Sequence, residues 1–263
     1  MDVATYITTL PSLVLFLLTV AIGELAAEAG HWVAKRKTKD ATNEGAPSLG
    51  SLVGAMLGLL AFMLGFTFSI TSSRFANRKE LMVAQSNALG TCYLRTSFLP
   101  EKQKEETRKL LREYVDILVK MKNHKDVMQG VVRLDELHLL IWNQAASLAR
   151  EDMDSELRML YVTSLNEVID IFGERKTVVL VFRIPSVLWT SLFLLYSISM
   201  FVVGYETGSF RIRRVMATPL MVSAFALIVT LIANMDSTKS EQRFRVSQQP
   251  LIELQQMMQQ NIP

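Results

Sequence analysis

Cysteine is nearly absent from this chain of 263 residues, in which Cys92 is the only one. A single thiol excludes an internal disulfide framework and a zinc site built from cysteines. The net charge is also small, at +3, and it is spread out rather than gathered in a basic patch. Since nucleic-acid binding depends on a concentrated basic surface, we expect no nucleic-acid partner.

Motifs of the common enzyme classes are missing as well. The chain has no P-loop, no glycine-rich dinucleotide motif after a strand, no H-E-x-x-H and no G-x-S-x-G. His124 and His138 lack the spacing of metal ligands. No segment of useful length alternates apolar and polar residues as a strand does. The sequence therefore favours an all-α protein that is not an enzyme, with no cofactor and no metal.

Charged residues are absent from four segments of the chain. These segments are Leu10–Gly23, Gly50–Ser73, Ser186–Tyr205 and Val215–Met235. About 20 consecutive apolar residues are enough to cross the core of a bilayer. Most of the Lys, Arg, Asp and Glu residues lie between Arg74 and Arg183. The sequence therefore predicts an integral membrane protein with four transmembrane helices in two pairs, and an intervening helical soluble domain.

This pattern divides the chain into four parts. We expect transmembrane helices 1 and 2 in residues 1–73, the helical extramembrane domain in 74–183, transmembrane helices 3 and 4 in 184–236, and a polar C-terminal tail in 237–263. No Lys or Arg precedes the first apolar segment, whereas a signal peptide needs a positive N-terminal region. We therefore expect a retained first helix and no cleaved signal.

Glycine, proline and polar clusters predict where the helices end. The first helix is expected at Leu10–Val33, with a loop at Lys35–Ser48. The second helix begins near Leu49 and continues past the membrane to about Ser97, because no Gly or Pro interrupts it between Gly65 and Gly90. Further helices are predicted at Leu134–Leu148 and Glu156–Phe182, turns at Asn123–Gly130 and Gly204–Arg214, and a docking cluster at Leu251, Ile252, Leu254, Met257 and Met258.

Two rows of residues distinguish the second predicted span. We call Gly50, Gly54 and Gly58 the glycine row, and Phe62, Phe66 and Ile70 the bulky ladder. Small residues at this spacing let another helix approach closely in lipid. A ladder of bulky apolar groups in a symmetric ring forms a hydrophobic constriction that gates by dewetting. The two rows are centred about 120° apart around the helix, so they serve different faces. The alternative is that the ladder faces lipid or a neighbouring helix.

Glu24, Glu28 and His31 form a candidate polar site inside the membrane, since they lie within about 60° of one another at helical spacing. Ionisable groups at membrane depth are costly and indicate a proton or cation site. All three lie near the end of the first span, where long side chains can also reach the interface. An interfacial role is therefore the alternative, and the trio lacks the fourth ligand of a metal site.

The distribution of positive charge leaves the orientation open. The short loops carry Lys35, Arg36, Lys37, Lys39, Arg211, Arg213 and Arg214, which by the positive-inside rule favours a helical domain outside the cytoplasm. Membrane-proximal basic residues on the domain side favour the opposite orientation. Arg74 and Arg78, directly after the second span, are two of them.

Several segments resemble known proteins. Gly58–Phe66, followed by Arg74-Phe75-Ala76-Asn77-Arg78, is similar to the second helix of the bestrophins, in which a Leu-Gly-Phe neck leads into an Arg-aromatic-aromatic-x-x-Arg sequence. More of the chain resembles a bacterial family of unknown function called bestrophin-like. The similar segments are Asn87–Thr91 with Tyr93–Arg95, Leu110–Val115, Ile184-Pro185 before Leu188-Trp189, Gly204-Tyr205 before Gly208, and Phe244–Leu251.

The resemblance to bestrophins implies a pentameric, anion-selective channel with one central pore. Phe62, Phe66 and Ile70 would form its neck, small anions would pass through it, and the helical domain would be cytoplasmic. The resemblance to the bacterial family implies a multi-pass protein of the bacterial inner membrane. Phe75-Ala76 stands where bestrophins have paired tryptophans.

Two functional hypotheses follow. The first is a homo-oligomeric ion channel in the lipid bilayer with its pore along the second helix. The second is a non-conducting membrane sensor or scaffold whose helical domain binds a protein partner. Unitary currents, or a partner recovered by cross-linking, would distinguish them.

Overall fold

The computed structural model describes residues 3–40, 49–121, 124–151, 153–182, 184–209, 216–237 and 246–260. The α-helices of these residues are α1 (Val3–Thr9), α2 (Ser12–Asp40), α3 (Gly50–Arg95), α4 (Glu101–Lys120), α5 (His124–Ser147), α6 (Ser155–Leu180), α7 (Ser186–Ser209), α8 (Ala217–Asp236) and α9 (Gln249–Gln259). No strand occurs within the described ranges. The predicted all-α fold is confirmed.

Four of these helices are long and apolar enough to cross a membrane. Their candidate spans are Ser12–Arg36 in α2, Gly50–Phe98 from the start of α3, Ser186–Gly208 in α7 and Ala217–Asp236 in α8. A helix satisfies its backbone hydrogen bonds internally, which is the requirement for crossing lipid. The prediction of four transmembrane helices is confirmed, and the chain is a multi-pass membrane protein.

Two predicted loops are partly helical. Helix α2 continues through Asp40, so the loop predicted at Lys35–Ser48 is wrong for its first six residues. Lys and Arg are good helix formers, and a helix needs no apolar residues once it leaves the membrane. Helix α7 continues to Ser209, so the turn predicted at Gly204–Arg214 is wrong for Gly204 to Ser209. The remainders of both loops, including Arg211, Arg213 and Arg214, lie outside the described residues.

The turn predicted at Asn123–Gly130 is wrong from His124 onward, because α5 begins there. Gly130 lies inside the helix for a packing reason. A Cβ atom at this position would lie 2.1 Å from the Cε atom of Met121 and 3.2 Å from the Cγ2 atom of Ile117. The missing side chain therefore makes room for α4 and does not mark a turn.

The chain divides into two compact units. The membrane unit consists of Met1–Phe75 and Ile184–Phe244, and the extramembrane unit consists of Ala76–Arg183 and Arg245–Pro263. The core of the membrane unit is built from apolar side chains of its transmembrane helices. Trp189, Leu192 and Met200 of α7, Leu60 of α3 and Ile232 of α8 are among its most buried members.

The extramembrane unit has its own apolar core. Tyr114 of α4, Leu137 of α5, Leu165 of α6 and the sole cysteine, Cys92 of α3, are all fully buried in it. The amphipathic helix α9 packs against the same core and buries Leu251, Leu254 and Met258. The predicted docking of this apolar cluster is confirmed, and its partner is the helical unit of its own chain.

Candidate functional site

The transmembrane part of α3 has one face packed in the membrane unit. Leu60, Leu64, Thr67 and Thr71 are buried on this face. The two threonine hydroxyls donate within the helix, from Thr67 to the carbonyl oxygen of Met63 at 2.7 Å and from Thr71 to that of Thr67 at 2.8 Å. The packed face therefore leaves neither of these hydroxyls unsatisfied.

The bulky ladder is turned away from that face. Phe62 is 67% exposed and Phe66 is 50% exposed, whereas Ile70 is partly buried. At helical spacing, Phe66 lies about 160° around the axis from Leu64. The described residues of the chain therefore leave the two aromatic rings free to meet lipid, water or another copy.

Two positions of the glycine row, Gly54 and Gly58, are also open. A Cβ atom added at Gly54 or Gly58 would meet no described atom of the chain within 4 Å. The same holds at Gly65, which continues this side of the helix. The packing role predicted for Gly50, Gly54 and Gly58 stays a prediction, and it now concerns contact with a second copy of the chain.

Arg74 and Arg78 follow the bulky ladder on α3. Both side chains are partly buried. The Nη1 atom of Arg74 is buried and makes no hydrogen bond with the described residues. The Nη1 atom of Arg74 can therefore still donate a hydrogen bond at the end of the span.

Glu24, Glu28 and His31 are not equivalent in the structure. Glu24 and His31 are partly buried, whereas Glu28 is exposed. The Oε1 atom of Glu24 is buried and accepts no hydrogen bond from the part of the chain that the structure describes. In the same part, no group of three His, Cys, Asp or Glu side chains is placed to hold a metal ion. The interpretation of Glu24, Glu28 and His31 as a polar site inside the membrane stays a prediction, and no metal-holding group of the described residues supports it.

The contact between α2 and α7 was not predicted from the sequence. A Cβ atom at Gly204 would lie 1.8 Å from the carbonyl oxygen of Ala27, and one at Gly30 would lie 2.0 Å from that of Phe201. Gly208 faces the backbone of His31 in the same way, at 2.7 Å from its carbonyl oxygen. Gly204 and Gly208 form a small-x-x-x-small pair, which is the usual signal of close helix packing in lipid. Both glycines fall within the turn that was predicted at Gly204–Arg214.

A second feature missed by sequence is a polar junction in the membrane unit. Asp236, at the end of α8, is buried and accepts a hydrogen bond from the backbone N–H of Ile184, with its carboxylate oxygens at 3.3 and 3.4 Å. Ser237 donates to the carbonyl oxygen of Thr8 at 2.7 Å. The two contacts connect the end of α8 to the residues before α7 and to α1.

We expect Asp236→Leu to destabilise the membrane unit by about 1.5–3 kcal/mol, because it leaves the Ile184 N–H without its charged acceptor. Asp236→Asn keeps one acceptor oxygen and should therefore lose less stability than Asp236→Leu. Thermal unfolding of the purified protein in detergent measures both. Unfolding of Asp236→Leu at the wild-type temperature would contradict this role.

The extramembrane unit contains a buried polar network. Tyr114 Oη lies 3.0 Å from His138 Nε2, and Gln85 Nε2 donates to Tyr114 Oη at 3.4 Å. Arg175 donates from Nη1 to Gln85 Oε1. Burial lowers the pKa of His138 and outweighs the raising effect of the Asp135 carboxylate, so the imidazole is neutral at pH 7. Arg175 is therefore the charged member of this network.

Comparison with known proteins agrees with this architecture. The Bestrophin-like domain family matches residues 18–238. Two solved structures of a bacterial bestrophin homolog from Klebsiella pneumoniae, each a variant, are similar to the chain at 15% identity, with TM-scores of 0.65 and 0.67. The matches cover 94% and 95% of this chain and 97% of each of those chains. At this identity they show a shared fold.

A further solved structure, described as a membrane protein, has a TM-score of 0.65 at 16% identity and covers 95% of this chain and 96% of its own. No curated protein matches the chain. The family match spans most of the sequence, from the first transmembrane helix to the end of the fourth. The chain therefore belongs to the bestrophin-like family of integral membrane proteins.

Proposed function

We propose that this chain forms a homo-oligomeric channel for small anions in the bacterial inner membrane, with α3 of each copy lining one central pore. Phe62, Phe66 and Ile70 form the neck of that pore. Five copies surround the pore, as the similarity to bestrophins implies. The chain has no enzymatic role in this proposal.

The two exposed aromatic rings of the bulky ladder, Phe62 and Phe66, carry the proposal. Of the four spans, that of α3 has the smallest buried share, and its aromatic rings point away from the helices of its own chain. Large apolar side chains on a sparsely packed transmembrane helix gain contacts when several copies come together. A ring of such side chains, with no charged residue between Gly50 and Ser73, is the hydrophobic type of gate.

The positive residues after the ladder support anion preference. In a symmetric assembly, Arg74 would be repeated around the pore at one end of the neck. A ring of arginines raises the local concentration of anions and repels cations. Selectivity then comes from Arg74, and the apolar neck controls opening.

Purified protein in planar bilayers tests the proposal. We expect unitary currents that reverse near the chloride equilibrium potential in a potassium chloride gradient. Native mass spectrometry of the same sample should give an oligomer of five. Silence in chloride, nitrate and potassium solutions, with intact oligomers present, would refute the channel function, and a monomer or dimer would refute the central pore.

A non-conducting scaffold remains the second candidate because of one observation. Helix α5 carries exposed apolar side chains at helical spacing, namely Met128, Val132, Leu139 and Trp142. Such a stripe fits a helix of a partner protein. Loss of cross-linking to a partner in Leu139→Glu, together with electrical silence of the wild type, would favour this alternative.

A further inference from the structure

The extramembrane unit contains a cavity of about 100 Å³ that the proposed pore does not use. It lies among α4, α5, α6 and the residue before α9. Its walls are mostly apolar. They include Leu118, Val127, Val131, Phe172, Val179 and Leu180.

Arg175, Lys176 and Gln248 are the polar residues of the lining. Two of them are already engaged. Lys176 Nζ lies 2.7 Å from Asp135 Oδ2 in an ion pair. Gln248 Nε2 donates to the carbonyl oxygens of Leu118 and Met121, both at 3.3 Å. Neither side chain therefore requires a ligand.

Arg175 is different, because no described residue of the chain balances its charge. Its hydrogen bond goes to the neutral amide of Gln85. Among the described residues no carboxylate forms an ion pair with it. Burial lowers the pKa of Arg175 to about 10, so the guanidinium is still charged at neutral pH. A largely buried cation without a counter-charge is unfavourable unless an anion joins it.

The cavity and the cation together define a ligand class. The guanidinium pairs with a carboxylate through two parallel N–H···O bonds. The apolar walls fit a short hydrocarbon tail beside it. An engineered cavity of about 150 Å³ holds benzene, so 100 Å³ suits a tail of roughly three to five carbons. A nucleotide or a drug-sized molecule needs a cavity of about 300 Å³ or more.

We propose that this cavity binds a short-chain monocarboxylate, with its carboxylate on Arg175 and its tail against Val131 and Phe172. The proposal goes beyond ion conduction, and it is independent of the pore because binding is measured without current. An inorganic anion would leave the apolar walls unfilled. A neutral apolar molecule would leave the charge of Arg175 without a partner.

Calorimetric titration of the full chain in detergent tests the proposal, with sodium butyrate as the probe. Butyramide has nearly the same shape and no charge, and sodium chloride has the charge and no tail. Of these three probes, only butyrate should show saturable binding at constant ionic strength. Affinity should rise about fourfold per methylene from acetate to butyrate, as burial of each CH₂ group predicts.

Two variants locate the site. Arg175→Gln should weaken butyrate binding by about tenfold or more, because the charge-assisted hydrogen bonds are lost. Val131→Phe should abolish binding by filling the cavity. Lys109→Gln makes the same change of charge at an exposed position of α4 that does not line the cavity, and it should bind as the wild type does.

The wild-type titrations alone decide the proposal if Arg175→Gln fails to fold. Equal binding of butyrate and butyramide, or no saturable binding of butyrate, would overturn it. Unchanged binding in a folded Arg175→Gln or Val131→Phe variant would overturn it as well.

Discussion

Replacing Gly204 by leucine should prevent the membrane unit of this chain from folding. The first atom of any side chain at this position would lie 1.8 Å from the carbonyl oxygen of Ala27, and the obstacle is backbone rather than a movable side chain. Helices α2 and α7 must separate to admit it, and the close packing along both helices is lost. Overpacking of a core typically costs about 1–3 kcal/mol, and we expect this clash to exceed that range because two backbones are involved.

Gly58→Leu is the matched control for this experiment. It makes the same change of residue in a transmembrane helix, at a position where a Cβ atom would meet no described atom of the chain within 4 Å. The yield of monodisperse protein and its unfolding temperature in detergent measure both variants. Gly204→Leu should aggregate, whereas each Gly58→Leu chain should fold. A stable, monodisperse Gly204→Leu protein would contradict the close approach of α2 and α7.

The Gly58→Leu variant also tests whether the glycine row lies in the interface between copies of the chain. If the glycine row packs against a second copy, Gly58→Leu should shift the native mass from oligomer to monomer without unfolding the chain. An unchanged oligomer would remove the glycine row from the subunit interface.

Replacing Phe66 by alanine should increase the current through the proposed channel. The bulky ladder restricts the neck by excluding water, and removal of one ring of aromatic side chains favours wetting. We expect an increase of about tenfold in mean current, which corresponds to about 1.4 kcal/mol of the barrier. Single-channel recording separates a larger unitary conductance from a higher open probability.

Phe68→Ala provides the control, because Phe68 is an exposed phenylalanine on a different side of the same helix. It lies about 160° around the axis from Phe66. Its removal should leave the current unchanged. A current that responds to Phe68→Ala and not to Phe66→Ala would place the pore on the other side of α3.

The spans and the length of α3 could be predicted because their signals are local. A charge-free segment of bilayer length is best explained as a transmembrane helix. The helical path to Arg95 followed from the lack of Gly and Pro between Gly65 and Gly90. In both cases the relevant residues are neighbours in sequence.

Glycine was harder to interpret. Glycines such as Gly130, Gly204 and Gly208 are usually interpreted as signs of turns. All three lie inside helices, where the missing side chain makes room for neighbouring residues. A glycine that ends a helix and a glycine that lets another helix approach look alike in a single sequence. The distinction depends on which helix is adjacent, and that is a property of the tertiary structure.

The buried network of the extramembrane unit had no local signal. Arg175 bonds Gln85 across 90 positions, and Tyr114 contacts His138 across 24. None of these residues belongs to a recognisable motif in its own segment. Only the packing of the four helices α3, α4, α5 and α6 brings them together. The positions of the bulky ladder were evident from sequence, and their pore role stays a prediction.

The complete burial of Cys92 has a practical consequence for experiments on α3. This residue is the only thiol in the chain, and the core of the extramembrane unit encloses it. Thiol reagents applied to the folded protein should therefore react only with cysteines introduced by mutation. The natural sequence can thus serve directly as the background for a cysteine-accessibility scan of Phe62, Phe66 and Ile70, without replacement of its own thiol.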